Sequence, residues 1–267
     1  LTQQQSAEPV LAGVRNFRDL GGLPAAGGRR VRHGVLFRSG HLAQATAADR
    51  AFLTSLGLHT VFDFRNAADR ALEGQDAALP GVRMVSLPLT AAEDGAEFWA
   101  LVREGSLAEL RAALDGGQAV GRMLRTYREI VLHRTAELGR VLRELSEGAL
   151  PALLHCAAGK DRAGLTTALV LLAVGVDREA IGADYVESNA PHRRYPLRRG
   201  AGEGGGEPPA ELAALLAPLF DARAEYLRAA FDQIDETWGG VDRYLTEALG
   251  LGPAGRERLQ SRLLDER

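Results

Sequence analysis

The twelve residues 153–164, LLHCAAGKDRAG, constrain this chain more than any other stretch. The apolar run from Leu150 to His155 is short and unbroken, as expected of a central strand buried on both faces. The apolar run from Ala163 to Gly175 reads as a buried helix. Between them lies a loop of small residues. A strand, a tight loop and a helix in direct succession aim successive backbone N–H groups into one hollow, with a helix N-terminus behind it. Both features favour a bound anion.

Cys156 opens this loop and Arg162 closes it. The helix end, Lys160 and Arg162 all favour the thiolate over the thiol. The planar fork of Arg162 can hold two phosphate oxygens at once. A nucleophilic sulfur beneath a clamped phosphate is a phosphoryl-transfer site, with a phosphocysteine as the expected intermediate. Ala157, Ala158 and Gly159 would supply backbone donors and leave room for the phosphate. Composition sharpens the point. Lys and Arg total 32, yet the only lysine is Lys160, four residues after the only cysteine. Lys160 is expected to add a charge at the loop's rim. A nucleotide-binding Walker loop does not fit Gly159–Lys160. Leu154 stands where its first glycine belongs, and Asp161 where Ser or Thr should hold magnesium. A papain-like Cys/His pair does not fit either, because adjacent residues on a strand point to opposite faces.

The remaining pattern predicts strands at 31–37, 59–64 and 82–87. Helices are predicted at 46–56, 93–115, 120–146, 177–188, 208–221 and through 222–250. Strands alternating with helices give an α/β fold with a central, mostly parallel sheet flanked by helices. Residues 1–12 read as a loose arm and 13–267 as one domain. The stretch 200–209, with five glycines and two prolines, reads as a flexible joint. A net charge of −3 argues against a general nucleic-acid binder. No apolar run is long enough to span a bilayer. One cysteine leaves no internal disulfide framework, and six scattered histidines suggest no zinc site. No metal and no cofactor are expected. The reduced thiolate and the lack of a visible signal peptide make cytoplasm the expected location, and a monomer or weak dimer the expected state.

HCAAGKDRAG resembles the HCxxGxxR signature of cysteine-dependent phosphatases, and more narrowly the bacterial tyrosine phosphatases with HCxxGKDR. Asn16–Phe17–Arg18–Asp19–Leu20–Gly21–Gly22 is similar to that group's NxRDLGG element. FRSGHL (37–42) is similar to its FRSxxL element, and Asp63–Phe64–Arg65 to its DLR element. A C-terminal YL…LGL stretch, Tyr244 to Leu251, extends the match over most of the chain. The group includes a secreted mycobacterial phosphatase acting on phosphotyrosine, phosphoserine/threonine and phosphoinositides. The resemblance implies a dual-specificity-like phosphatase fold, metal-independent hydrolysis and a helical lid within 190–221. Phosphotyrosine protein is the leading expected substrate, with phosphoinositides close behind because of the arginine run at 193–199 and because a Lys at position 160 is similar to one contacting inositol phosphates in lipid phosphatases.

The leaving oxygen needs a proton. No Trp-Pro-Asp loop is present, and the resemblance favours Asp161 and Asp63 without choosing between them. Ala163 and Gly164 complete the expected binding loop, but Ala163 stands where relatives carry Ser or Thr to stabilise the departing thiolate. Two expectations follow: Thr166 substitutes from the first helical turn, or hydrolysis of the intermediate is slow. Asn16, Arg18 and Asp19 read as braces for the loop. The run His192–Arg193–Arg194…Arg198–Arg199 reads as a solvated loop or as a contact for lipid headgroups. Helix 208–221 reads as a lid over the site or as a helix fixed on the core. Two rival functions remain open: a slow phosphate-binding module, and a rhodanese-like sulfur transferase.

Overall fold

The computed structural model describes residues 9–91, 96–196 and 209–266. Five strands form one sheet: β1 (Arg18–Asp19), β2 (Leu36–Ser39), β3 (Thr60–Asp63), β4 (Arg83–Ser86) and β5 (Ala152–His155). Their order is β1-β2-β5-β3-β4, with β1 antiparallel to β2 and every other pair parallel. The strand ahead of the Cys156 loop is therefore central, as its unbroken apolar run implies. Period-two alternation divides the core. Leu36, Phe62, Ala152 and Leu154 point into the larger cluster, while Phe37, Val61 and Leu153 point into the smaller one.

The smaller cluster lies under α1 (Ala47–Ser55), which Thr46 caps with a reciprocal Thr46–Asp49 box. α2 (Ala67–Glu73) follows β3. α3 (Ala96–Glu104), α4 (Leu107–Leu114), α5 (Gln118–His133) and α6 (Thr135–Glu147) precede β5. α7 (Asp161–Ala173) carries the loop's far end and is buried almost all round. α8 (Arg178–Val186), α9 (Ala210–Phe220), α10 (Ala224–Trp238), the short α11 (Val241–Arg243), which runs into a π-helical turn, and α12 (Pro253–Leu263) complete the larger face.

Four sequence expectations change. The strand expected at 31–37 begins only at Leu36, because Gly34 turns the chain at φ 75°, and it runs on to Ser39. The helix expected at 93–115 is two helices, since Ser106 and Glu109 form a capping box that starts α4. The helix expected at 120–146 breaks at Arg134 (φ −116°, ψ 30°). The apolar stripe keeps phase across that break, so periodicity conceals it. The helix expected through 222–250 ends at Trp238, where Gly239 adopts φ 75° as a left-handed cap. The predicted arm 1–12 lies mostly outside the described residues, as do Arg198, Arg199 and the glycine-rich joint apart from Pro209. α9, the helix of the expected lid, buries Leu216 and Leu219 in the larger cluster. No helix among the described residues is long and apolar enough to cross a membrane.

Candidate active site

The loop between β5 and α7 is shaped by its carbonyls. Ala157 O accepts from the backbone N–H of His41 at 3.1 Å. Asn16 Nδ2 donates to Ala158 O and Gly159 O at 3.2 and 3.0 Å. Arg38 Nη2 donates to Gly159 O and Lys160 O at 2.8 and 3.2 Å. A trans peptide turns its N–H away from its carbonyl. Four outward carbonyls therefore turn the N–H groups of residues 158–161 toward the hollow, where the N-terminus of α7 adds its dipole. Gly159 is required twice over. Its φ is 68°, and a Cβ there would lie 2.4 Å from the Ser39 carbonyl.

The brace is itself held by charge. Arg18 Nη1 donates to Asn16 Oδ1 at 2.6 Å, and Arg18 and Arg38 share Asp184 at 2.8 and 2.9 Å. Asn16 sits at φ 55°, a left-handed conformation that Asn tolerates better than most residues. Burial opposes the charge on Asp184, but the two guanidinium groups outweigh it and hold the carboxyl below its ordinary range.

A cavity of about 800 Å³ opens over this loop, lined by Cys156, Ala157, Ala158, Lys160, Asp161 and Arg162 among others. Its size suits a ligand with one end anchored on the loop. Arg162 reaches it in a prepared state. Nη1 pairs with Asp69 Oδ2 and lies 3.4 Å from both Phe64 O and Thr90 Oγ1. Among the described residues nothing engages its Nε–Nη2 edge, which leaves a fork for two phosphate oxygens. Burial works against the Arg162 charge, and Asp69, Cys156 and Asp161 more than offset it, raising its proton affinity further.

The two carboxylates left open by sequence differ in placement. Asp161 lines the cavity, accepting from Tyr127 Oη at 2.8 Å and from Lys160 Nζ at 2.5 Å. Asp63 is not among the residues lining the cavity. It is paired with Arg65 Nε at 3.0 Å and sits 3.8 Å from His155 Nδ1, across the β3–β5 register. Asp76 closes that cluster, at 2.9 Å from Arg65 Nη2 and 3.0 Å from His155 Nε2. Asp63, Asp76 and His155 converge as metal ligands would, but the Arg65 guanidinium already supplies the cation there.

Other expected residues are placed differently from their sequence reading. Lys160 is not a rim cation in solvent. It is 4% exposed and also donates to Asp221 O at 3.2 Å, tying the loop to the α9–α10 link. Ala163 and Gly164 are buried on the core side of α7. A Cβ at Gly164 would come within 2.7 Å of Arg38 Nη2, so this glycine makes room for the brace. Thr166 donates its one hydroxyl proton to Arg162 O at 2.8 Å, back along the helix, and so has none to offer a departing thiolate. Of the basic run, Arg193 is buried and pairs with Glu187, whereas Arg194 pairs with Asp221 at 3.0 Å but stays half exposed, as a solvated loop implies.

Sequence reading missed Asp69, Tyr127, Tyr185 and Asp184. Asp69 carried a readable signal: Asn66 and Asp69 form the box that starts α2. Tyr127 was legible only as part of an apolar helix face.

Acid sensitivity follows from the cluster beneath the sheet's end. Burial opposes the Asp76 charge, but His155 and Arg65 overcome it and hold the carboxyl at about 2, against an ordinary 3.8. A depressed carboxyl stabilises the fold above its unfolded value and loses that contribution as pH falls through its folded value. Asp76 is therefore expected to contribute about 2 kcal/mol that disappears between about pH 4 and 2. Acid unfolding of Asp76→Asn, followed by circular dichroism, should lack that part of the slope. Equal slopes for variant and wild type would refute the assignment.

Comparison with known proteins places these features in context. A profile described as the tyrosine phosphatase family matches residues 9–265. A Cupriavidus necator protein named for tyrosine-protein phosphatase activity is 40% identical over 248 residues, covering 88% of this chain and 82% of its own. The triple specificity protein phosphatase PtpB of Mycobacterium tuberculosis is 36% identical, covering 95% of this chain and 98% of its own. Among solved structures, P. aeruginosa TpbA is 22% identical with a TM-score of 0.31, covering 76% of this chain and 89% of that one.

Proposed function

The chain belongs to the tyrosine phosphatase family, and from that premise we propose that it hydrolyses phosphotyrosine in proteins through a phosphocysteine on Cys156. The observation that carries this reading is the loop itself: Cys156, Asp161 and Arg162, whose Nε–Nη2 edge has no partner among the described residues, all line one cavity. In the first step the Cys156 sulfur attacks phosphorus while the inward N–H groups and Arg162 hold the three equatorial oxygens. The bond from phosphorus to the leaving oxygen breaks, and that oxygen takes its electron pair and a proton from Asp161. In the second step water attacks phosphorus and gives its proton to the Asp161 carboxylate. The S–P bond breaks, releasing inorganic phosphate and the thiolate. No step calls on a metal ion.

Asp161 is assigned as the acid because it faces the cavity, whereas Asp63 serves the Arg65–His155 cluster. The test compares p-nitrophenyl phosphate, whose leaving group needs little protonation, with phenyl phosphate, whose leaving group needs it, both in EDTA. Asp161→Asn should lose about 10²-fold on phenyl phosphate and far less on the nitrophenyl ester. Asp63→Asn should lose similarly on both. The reverse pattern would move the acid to Asp63.

A second substrate class is favoured by one observation. Arg103, Arg122 and Arg125 line the same cavity beyond the phosphate loop. They could receive a further phosphate, as a phosphoinositide headgroup would present. Its turnover relative to a phosphotyrosine peptide, and a loss confined to the headgroup in Arg103→Ala/Arg125→Ala, would separate the two classes. The intact Cys156 and Arg162 argue against a silent binding module.

A further inference from the structure

Both donors that hold Asp161 reach the same oxygen. Tyr127 Oη and Lys160 Nζ converge on Oδ1 at 2.8 and 2.5 Å. Among the described residues Oδ2 has no partner, and the carboxyl lies at the cavity wall with its side chain 24% exposed. Behind Tyr127 stands a second phenol, with Tyr185 Oη 2.6 Å from Tyr127 Oη. Both tyrosines are fully buried. A phenol has one proton to give. If Tyr127 gives its proton to Asp161, Tyr185 must give its own to Tyr127, so the chain runs one way: Tyr185 to Tyr127 to Asp161. Burial, followed by the nearby Asp161 charge, pushes both phenols well above their ordinary range, so they stay protonated donors.

We propose that Tyr127, itself oriented by Tyr185, is a positioning residue that pins Oδ1 of Asp161 as an acceptor and so puts the transferable proton on Oδ2, facing the leaving oxygen. The inference rests on the reading of Asp161 as the acid. A proton on Oδ1 would meet the hydrogens of two donors already pointing at that atom. On Oδ2 it meets none. When the Oδ2–H bond breaks and its proton passes to the leaving oxygen, the carboxylate that remains keeps both hydrogen bonds on Oδ1. When water attacks the phosphocysteine, Oδ2 takes a proton back and the cycle closes. The ring contacts of Tyr127 with Tyr185 and Tyr226 need no hydroxyl. Phenylalanine would pack in their place, which makes the two hydroxyls separable from the packing.

The experiment measures kcat for phenyl phosphate and p-nitrophenyl phosphate in wild type, Tyr127→Phe, Asp161→Asn and Tyr127→Phe/Asp161→Asn. Tyr127→Phe/Tyr185→Phe is added because it keeps both rings and leaves no orphan hydroxyl, should the single variant fold poorly. Tyr127→Phe, and the double phenylalanine variant likewise, should lose about tenfold on phenyl phosphate and about twofold on the nitrophenyl ester. In the Asp161→Asn background the Tyr127→Phe change should cost less than about twofold on either ester. Equal losses on the two esters, or an undiminished loss in the Asp161→Asn background, would mark Tyr127 as structural only and overturn the inference. Leaving-group dependence in Asp161→Asn without any in Tyr127→Phe would sink the inference alone. Its absence in Asp161→Asn itself would sink the acid assignment on which the inference stands.

Discussion

Cys156→Ser is expected to lower turnover of every phosphomonoester by roughly 10⁴-fold or more, while leaving phosphate binding within a few-fold of wild type. The asymmetry comes from the geometry. Binding depends on the inward N–H groups, held by Asn16 and Arg38, and on the Arg162 fork, and none of these involves the sulfur. Attack depends on an anionic nucleophile. A thiol ionises readily near neutral pH, whereas a serine hydroxyl needs a base beside it. The adjacent histidine cannot serve, because His155 is buried between Asp63 and Asp76 rather than lining the cavity. Steady-state kinetics with p-nitrophenyl phosphate and calorimetric titration of inorganic phosphate measure the two halves. Residual turnover above about one per cent would mean that Cys156 is not the nucleophile.

The largest stability effect should come from a residue that touches no substrate. Asp184→Ala leaves Arg18 and Arg38 buried without their counter-charge, at 4% and 0% exposure. Removing one partner of such a buried network costs about 3–5 kcal/mol, which lowers Tm by roughly 10 °C in a domain of this size. Activity should fall with it, because Arg38 helps Asn16 turn the Gly159 carbonyl outward and also holds that of Lys160. Asp184→Asn keeps the acceptor and loses the charge, so its cost should be intermediate. A thermal melt of Asp184→Ala within 2 °C of wild type would show that Arg18 and Arg38 find other partners.

Much of the site could be read directly along the chain because its chemistry is contiguous. Strand, loop and helix follow one another between Leu150 and Gly175, and the apolar runs on either side specify which end of the strand is open. The helix breaks at Gly105–Ser106 and Arg134 escaped notice for opposite reasons. The first is marked by a capping box at Ser106 and Glu109, set between runs of residues that favour helix. The second carried no local mark, because the apolar stripe runs through it in phase. Helix α2 escaped similarly, being short and with no buried side chain to reveal a face.

The sequence by itself determined the Cys156–Arg162 loop, its parent strand and helix, and the two residues proposed as nucleophile and phosphate clamp. These depend on local periodicity and on residues within a few positions of one another. Tertiary structure decided how the loop is held and charged. Asp69 pairs with Arg162 from 93 positions away, Arg18 braces Asp184 across 166, and Tyr127 reaches Asp161 across 34. It also decided that Lys160 is buried and that Asp63 pairs with Arg65 rather than lining the cavity. Pairing between distant charges and hydroxyls has no period and no spacing. It follows from which faces meet when the sheet closes, and that is settled by packing rather than by any segment alone.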